Sequence, residues 1–177
     1  MELNKIQEYI KSKLSEKRYY HSICVMERSR DLALKFGVDI QIAEKIGIAH
    51  DVAKEMTEEE KLNYVKENTG LLHAKIGKDI AIKEFGFTES MGQAIANHTT
   101  GNKDMDIYSK ILFIADRTSK DRKFEDLEYL NELVDKKGID EAVLYILDKK
   151  IKLQIEKRAS IHINGIIARN FLLNNKE

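Results

Sequence analysis

The chain has no proline in 177 residues, and this absence constrains its fold more than any other feature. Proline ends or kinks a helix because it lacks the amide donor and its ring clashes with the preceding turn. Without it, helices stop only at capping side chains and at the nine glycines. Apolar residues recur at helical spacing in one segment after another, and no alternating run is long enough to make a strand. The pattern predicts an all-α fold, and the length suits one domain with a substantial core.

The segments follow from periodicity and caps. Leu3, Ile6, Tyr9, Ile10 and Leu14 form a helical stripe. Ser15 caps a helix over Glu16–Phe36 that Gly37 closes. Asp39 caps a third helix through Ile42, Ala43, Ile46 and Ile48, which ends on His50 and Asp51. Thr57-Glu58-Glu59-Glu60 is a capping box for a helix running to about Glu67 and broken at Asn68-Thr69-Gly70. Leu71-Leu72-His73-Ala74 opens a helix that Gly86 ends. Thr88 caps another, which finishes in Ala96-Asn97-His98-Thr99-Thr100-Gly101. Helices over Ile107–Thr118 and Phe124–Lys136 follow. A long last helix from Asp140 to about Leu173 has a break near His162-Ile163-Asn164-Gly165, where Gly165 weakens continuity.

Composition excludes several partners. Lys plus Arg and Asp plus Glu number thirty each, so the formal net charge is zero. No basic excess recommends a nucleic-acid polymer or an anionic membrane. The one cysteine, Cys24, fits the apolar side of its helix and a reducing compartment. The N-terminus shows no secretory apolar region, and no apolar run reaches the length of a membrane span. The expected location is cytoplasmic.

Function is read from the histidines. Side chains on adjacent helical residues point about 100° apart, so His50 and Asp51 reach one ion only where a helix ends and the backbone bends. Such a pair offers an imidazole nitrogen and a hard carboxylate oxygen. His21, His73 and His98 also stand in helices or at their edges, far apart along the chain. A site using them is assembled by helices facing one interior, as in bundle-core metal sites. Asp116 closes the apolar run Ile111-Leu112-Phe113-Ile114-Ala115, and a buried carboxylate needs a cation or several donors. Each residue also has a structural reading: His73 as a helix-start histidine bonded to a carbonyl, His98 as a C-cap, His162 as a structural or rim residue. The basic loop Lys120, Arg122, Lys123 reads either as a solvated surface or, beside a metal, as a phosphate clamp.

Five motifs in order then carry a resemblance: Arg18-Tyr19-Tyr20-His21-Ser22, His50-Asp51-Val52-Ala53-Lys54, Leu72-His73, Asn97-His98-Thr99-Thr100-Gly101 and Ala115-Asp116-Arg117-Thr118. They resemble the HD-domain metal-dependent phosphohydrolases, and more narrowly the bacterial YqeK branch. Those are the symmetrical bis(5′-nucleosyl)-tetraphosphatases, which hydrolyse diadenosine tetraphosphate to two ADP. The likeness covers nearly the whole chain. It implies one HD-domain helical bundle over 1–177, with a metal-binding core at about 16–120 and helices in 124–173 packed on it.

By that resemblance His21, His50, Asp51 and Asp116 hold the metal, iron being usual and Mn, Zn, Co or Ni the alternatives. His73 and His98 lie across the site, contacting phosphates or completing a second metal position with Asp51 as bridge, so one or two ions are implied. All six belong to the implied catalytic set. Lys54, Thr99 and Arg122 match positions near the nucleotide diphosphate, with Thr100, Arg117 and Asp116 also on the substrate side. The implied partner is a dinucleoside polyphosphate giving ADP or GDP, with a homodimer left open. The alternatives are an HD hydrolase for another nucleotide and a non-catalytic nucleotide sensor. One departure is visible: His162-Ile163-Asn164-Gly165 lacks the Pro and Thr of the His-Pro-x-Thr stretch common in that branch, while Ala168-Arg169-Asn170 is kept.

Overall fold

A computed structural model describes residues 1–62 and 71–175. Among these it contains α1 (Leu3–Lys13), α2 (Glu16–Phe36), α3 (Ile40–Ala49), α4 (Glu58–Leu62), α5 (Leu72–Phe85), α6 (Glu89–Asn97), α7 (Ile107–Thr118), α8 (Leu127–Lys136), α9 (Ile139–Glu156) and α10 (Ile163–Asn174). No strand occurs among the described residues, so the all-α expectation is borne out. The expected extension of α4 to Glu67 and its break at Asn68-Thr69-Gly70 lie outside the described residues.

The caps start the helices where the side chains dictate. Ser15 Oγ accepts from the Arg18 amide, and Asp39 Oδ1 accepts from the amides of Gln41 and Ile42. The capping box is complete: the Thr57 amide donates to Glu60 Oε2 at 2.7 Å and the Glu60 amide to Thr57 Oγ1 at 3.2 Å. Asp106 caps α7 by accepting from the Ser109 amide at 2.8 Å. Gly37, in the left-handed region at φ 66°, ends α2, with the Val38 amide donating to Ala33 O, the closing bond of a Schellman turn.

Two boundaries differ from the sequence expectation. α8 begins at Leu127, not Phe124, because the Arg117 guanidinium lies 3.5 Å over the Phe124 ring and Asp126 accepts from the Tyr145 hydroxyl. The long last helix breaks after Glu156, ahead of Gly165, and restarts at Ile163. Arg158 takes the left-handed conformation (φ 52°) that a glycine usually fills, and the Ala159 amide closes the turn on Gln154 O. Gly165 sits inside α10. A Cβ there would lie 3.3 Å from Thr100 O, so this glycine lets α10 approach the end of α6.

α2 runs against α3 and α7, α5 pairs with α6, and α9 packs on α7, α8 and α10. The core between them is built from fully buried side chains such as Leu32, Ile46, Ile48, Ile76, Ile95, Leu112 and Phe113, each contributing about 1.5–3 kcal/mol by leaving water. Cys24 is buried as expected. The tightest approach is at Gly47, where a Cβ would lie 2.8 Å from Met26 Cα and 2.9 Å from Ser29 Oγ. Backbone cannot yield as a side chain can, so Gly47→Ala is expected to destabilise the protein by about 2 kcal/mol through overpacking. Urea unfolding of the two proteins checks this, the expected signature being a lower midpoint at unchanged slope.

Candidate metal centre

Two helices end on the same interior point. His50 is the C-cap of α3 and His98 the C-cap of α6. Each turns its Nδ1–H onto the carbonyl three residues back, His50 to Gly47 O at 2.8 Å and His98 to Ile95 O at 2.6 Å. His21, on α2, has Nδ1 2.7 Å from Asp121 Oδ2. In all three rings Nδ1 is therefore occupied by an oxygen, which leaves Nε2 as the acceptor; at His21 it lies 3.2 Å from the Arg122 guanidinium. The rings stand edge to face in a row with His73 of α5: His21–His50, His50–His98 and His98–His73 centroids are 5.3, 5.2 and 5.3 Å apart.

Asp51 lies at the middle of this row, 3 % exposed. Its Oδ2 is 3.5 Å from His50 Nε2 and accepts from Arg18 at 3.0 Å. Its Oδ1 is 3.7 Å from His73 Nε2 and 3.6 Å from His98 Nε2. Two groups of converging ligand atoms result, His21–His50–Asp51 and Asp51–His73–His98, all five residues buried. His50 Nε2 and Asp51 Oδ1 are buried without a hydrogen-bond partner. Acceptor lone pairs facing a carboxylate at such distances repel unless a proton or a metal cation lies between them. The donor set of imidazole nitrogen and carboxylate oxygen suits a divalent metal, so the cluster fits one on its own geometry.

The alternative cation is a proton, which the surrounding charges favour on His50. Burial pushes the His50 pKa down, but the Asp51 carboxylate beside it, with Asp116 and the Gly47 carbonyl, outweighs this and leaves it raised. Burial pushes Asp51 up, yet His50 and His98 hold it far below the usual carboxylate range. Asp116 is likewise held low against its burial, first by His21.

Asp116 joins the cluster through His21. Its Oδ1 is 3.1 Å from His21 Nε2 and accepts from the Arg122 guanidinium at 2.5 Å, while Arg122 Nε donates to Asp116 O at 2.9 Å. Lys54 Nζ lies 3.1 Å from His73 Nε2. Thr99 Oγ1 lies 3.2 Å from His98 Nε2 and 3.4 Å from His73 Nε2. The Thr100 hydroxyl donates to Gly101 O. Arg117 is turned away from the histidines, stacked on Phe124 with Asp126 at 3.6 Å. His162 is exposed and caps α10 by accepting from the Asn164 amide. Asp121 carried no sequence signal: it stands between Lys120 and Arg122 in a loop whose basic residues dominate its reading.

Against this geometry the comparisons with known proteins are direct. The HD domain family matches residues 18–121, the span that carries all six clustered residues. The chain belongs to the HD domain family. Two near full-length relatives are named symmetrical bis(5′-nucleosyl)-tetraphosphatase. One, from Halalkalibacterium halodurans, is 33 % identical over 98 % of both chains. The other, from Bacillus subtilis, is 26 % identical over 93 % of this chain and 94 % of its own. A crystal structure described as a predicted HD superfamily hydrolase involved in NAD metabolism, from Clostridium acetobutylicum, is 34 % identical and superposes with a TM-score of 0.92, covering 99 % of each chain.

Two expectations follow. With its pKa raised above the ordinary imidazole value of about 6.5, protonated His50 contributes stability to the metal-free protein below that pH, and the contribution is lost as pH rises through the raised pKa. Thermal unfolding of chelator-treated protein should therefore weaken on going above about pH 6.5, and added divalent metal should reverse the trend while its affinity falls with acidification. Asp121 fixes the His21 tautomer, so Asp121→Asn should lower metal affinity by about 10- to 100-fold with little change in fold, read by competition against a chromogenic chelator.

Proposed function

We propose that this HD protein hydrolyses diadenosine tetraphosphate symmetrically, releasing two molecules of ADP, with a divalent metal held by His21, His50, Asp51 and Asp116. The observation that carries the reading is the set of three imidazoles whose Nδ1 atoms are occupied by oxygens and whose Nε2 atoms face carboxylates, those of His50 and His98 toward buried Asp51 and that of His21 toward Asp116. The near full-length relatives bearing the tetraphosphatase name supply the substrate. Iron is the proposed metal, and Asp51, His73 and His98 would hold a second ion if one binds.

A metal bound there supplies an acidified water at neutral pH and charge to offset the phosphoryl oxygens. The protein's own groups do the rest. Gly47 O, Ile95 O and Asp121 keep the imidazoles in the metal-binding tautomer. Arg18 on Asp51 Oδ2 fixes that carboxylate's rotation. Lys54, beside His73, and Arg122, beside Asp116, would neutralise phosphates at the two ends of the histidine row, a role for which Arg's planar fork and Lys's point charge both serve. The proposed unit is the whole of 1–177, because α9 and α10 pack against the end of α6. Cytoplasmic location is part of the same reading; no helix among the described residues is long and apolar enough to cross a membrane.

A second reading, hydrolysis of another nucleotide anhydride, is favoured by the Clostridium acetobutylicum structure's description as involved in NAD metabolism. A substrate panel separates the two. ADP as sole nucleotide product from diadenosine tetraphosphate is the expected result, whereas ATP plus AMP would overturn symmetric cleavage. Chelation should abolish turnover and metal restore it. Asp51→Ala should reduce turnover to background while far-UV circular dichroism stays helical; an equally slow wild type would leave only a nucleotide sensor.

A further inference from the structure

Lys150, on α9, takes no part in the histidine row and lies in a tract, Lys149-Lys150-Ile151-Lys152, that reads as a solvated surface. The structure places it otherwise. Its side chain crosses the Phe113 ring, with Nζ 4.3 Å from the centroid, and Nζ donates to Thr99 O at 2.9 Å. Thr99 touches the cluster from its other side, through the hydroxyl facing His73 and His98. One residue thus separates the Lys150 ammonium from the row of imidazoles.

We infer that Lys150 binds a phosphate of the substrate where the polyphosphate chain leaves the histidine cluster. This rests on the proposed substrate being a nucleoside polyphosphate. An ammonium carries three donors, and the hydrogen bond to Thr99 O uses one. Among the described residues no carboxylate lies within ion-pair distance of Nζ, while its basic neighbours in sequence along α9, Lys149 and Lys152, have acidic partners. Arg117 and Arg122 add like charge nearby. Burial, with those two arginines, pushes Lys150 down to about 8 against the pull of Asp116. A half-buried cation among cations is stabilised by an anion, and Lys150 faces the space where one would lie. It lines two cavities of about 400 and 410 Å³. The first has an apolar wall of Leu147, Ile151 and Ile161; the second is walled by Arg117, Lys123 and Phe124 together with the acids Glu125, Asp126 and Glu156. A substrate with a nucleoside at each end of its phosphate chain matches a cation set between two cavities.

The test is binding, with metal-loaded protein and ADP, pyrophosphate and adenosine as probes in titration calorimetry. Lys150→Met keeps the stem that covers Phe113 and removes the charge. It should weaken ADP and pyrophosphate about tenfold and leave adenosine unchanged, with Lys150→Arg restoring most of the loss. Unchanged ADP affinity in Lys150→Met would overturn the inference. So would equal losses for ADP and adenosine that Lys150→Arg fails to repair, since that marks a purely structural support of the Thr99 turn. Should Lys150→Met not fold, the wild type still decides. ADP, but not adenosine, should protect Lys150 from reductive methylation read by peptide mass spectrometry, and equal labelling with and without ADP would sink the idea. Failure of the reaction itself is distinguishable. ADP binding through Lys150 without ADP release from diadenosine tetraphosphate refutes the proposed activity and leaves this inference standing. The converse result does the opposite.

Discussion

The structure depends on a single buried carboxylate. Asp51 is almost wholly removed from water, and it is surrounded by nitrogen atoms, most of them acceptors. Such an arrangement is stable only with positive charge inserted. The protein has two ways of meeting that need, a proton on His50 or a metal among the imidazoles, and the two compete for the same lone pair. Arg18 on Oδ2 and Lys54, 4.0 Å from Oδ1, contribute from the rim, but both are partly exposed, so solvent screens them.

The helices are arranged so that this carboxylate can exist where it does. α3 and α6 both end in a histidine that bonds back to its own last turn, so backbone geometry fixes ring orientation with no help from distant packing. Gly47 permits α2 to come close enough for His21 to enter the same interior. The far side is closed by α9 and α10, the one through Lys150 on Thr99 O and the other through Gly165 against Thr100 O. The cluster is therefore enclosed by helices from both ends of the chain.

Much of this was legible in the residues. Caps and glycines marked most helix starts and stops because each acts locally, through one or two hydrogen bonds. The clustered histidines and aspartates were legible because their types and order point to metal chemistry even when their separation in sequence hides their contact. The failures share a cause: the deciding interaction was non-local or used an unusual residue. Asp121 is one acid in a basic loop, and its value lies in a ring 100 positions away in sequence. Lys150 looks like a surface lysine until Phe113 and Thr99 are brought beneath it. Arg158 occupies a left-handed turn position that composition assigns to glycine. Phe124 has helical character but is held out of α8 by Arg117.

That α3 and α6 both terminate at the cluster decides the sign of charge it can hold. The carbonyl end of a helix carries partial negative charge, and here two such ends join Asp51 and Asp116 around one point. The fold therefore favours positive charge at that point, a proton or a metal cation, and the same two helix ends that orient the imidazoles set the sign of what they hold.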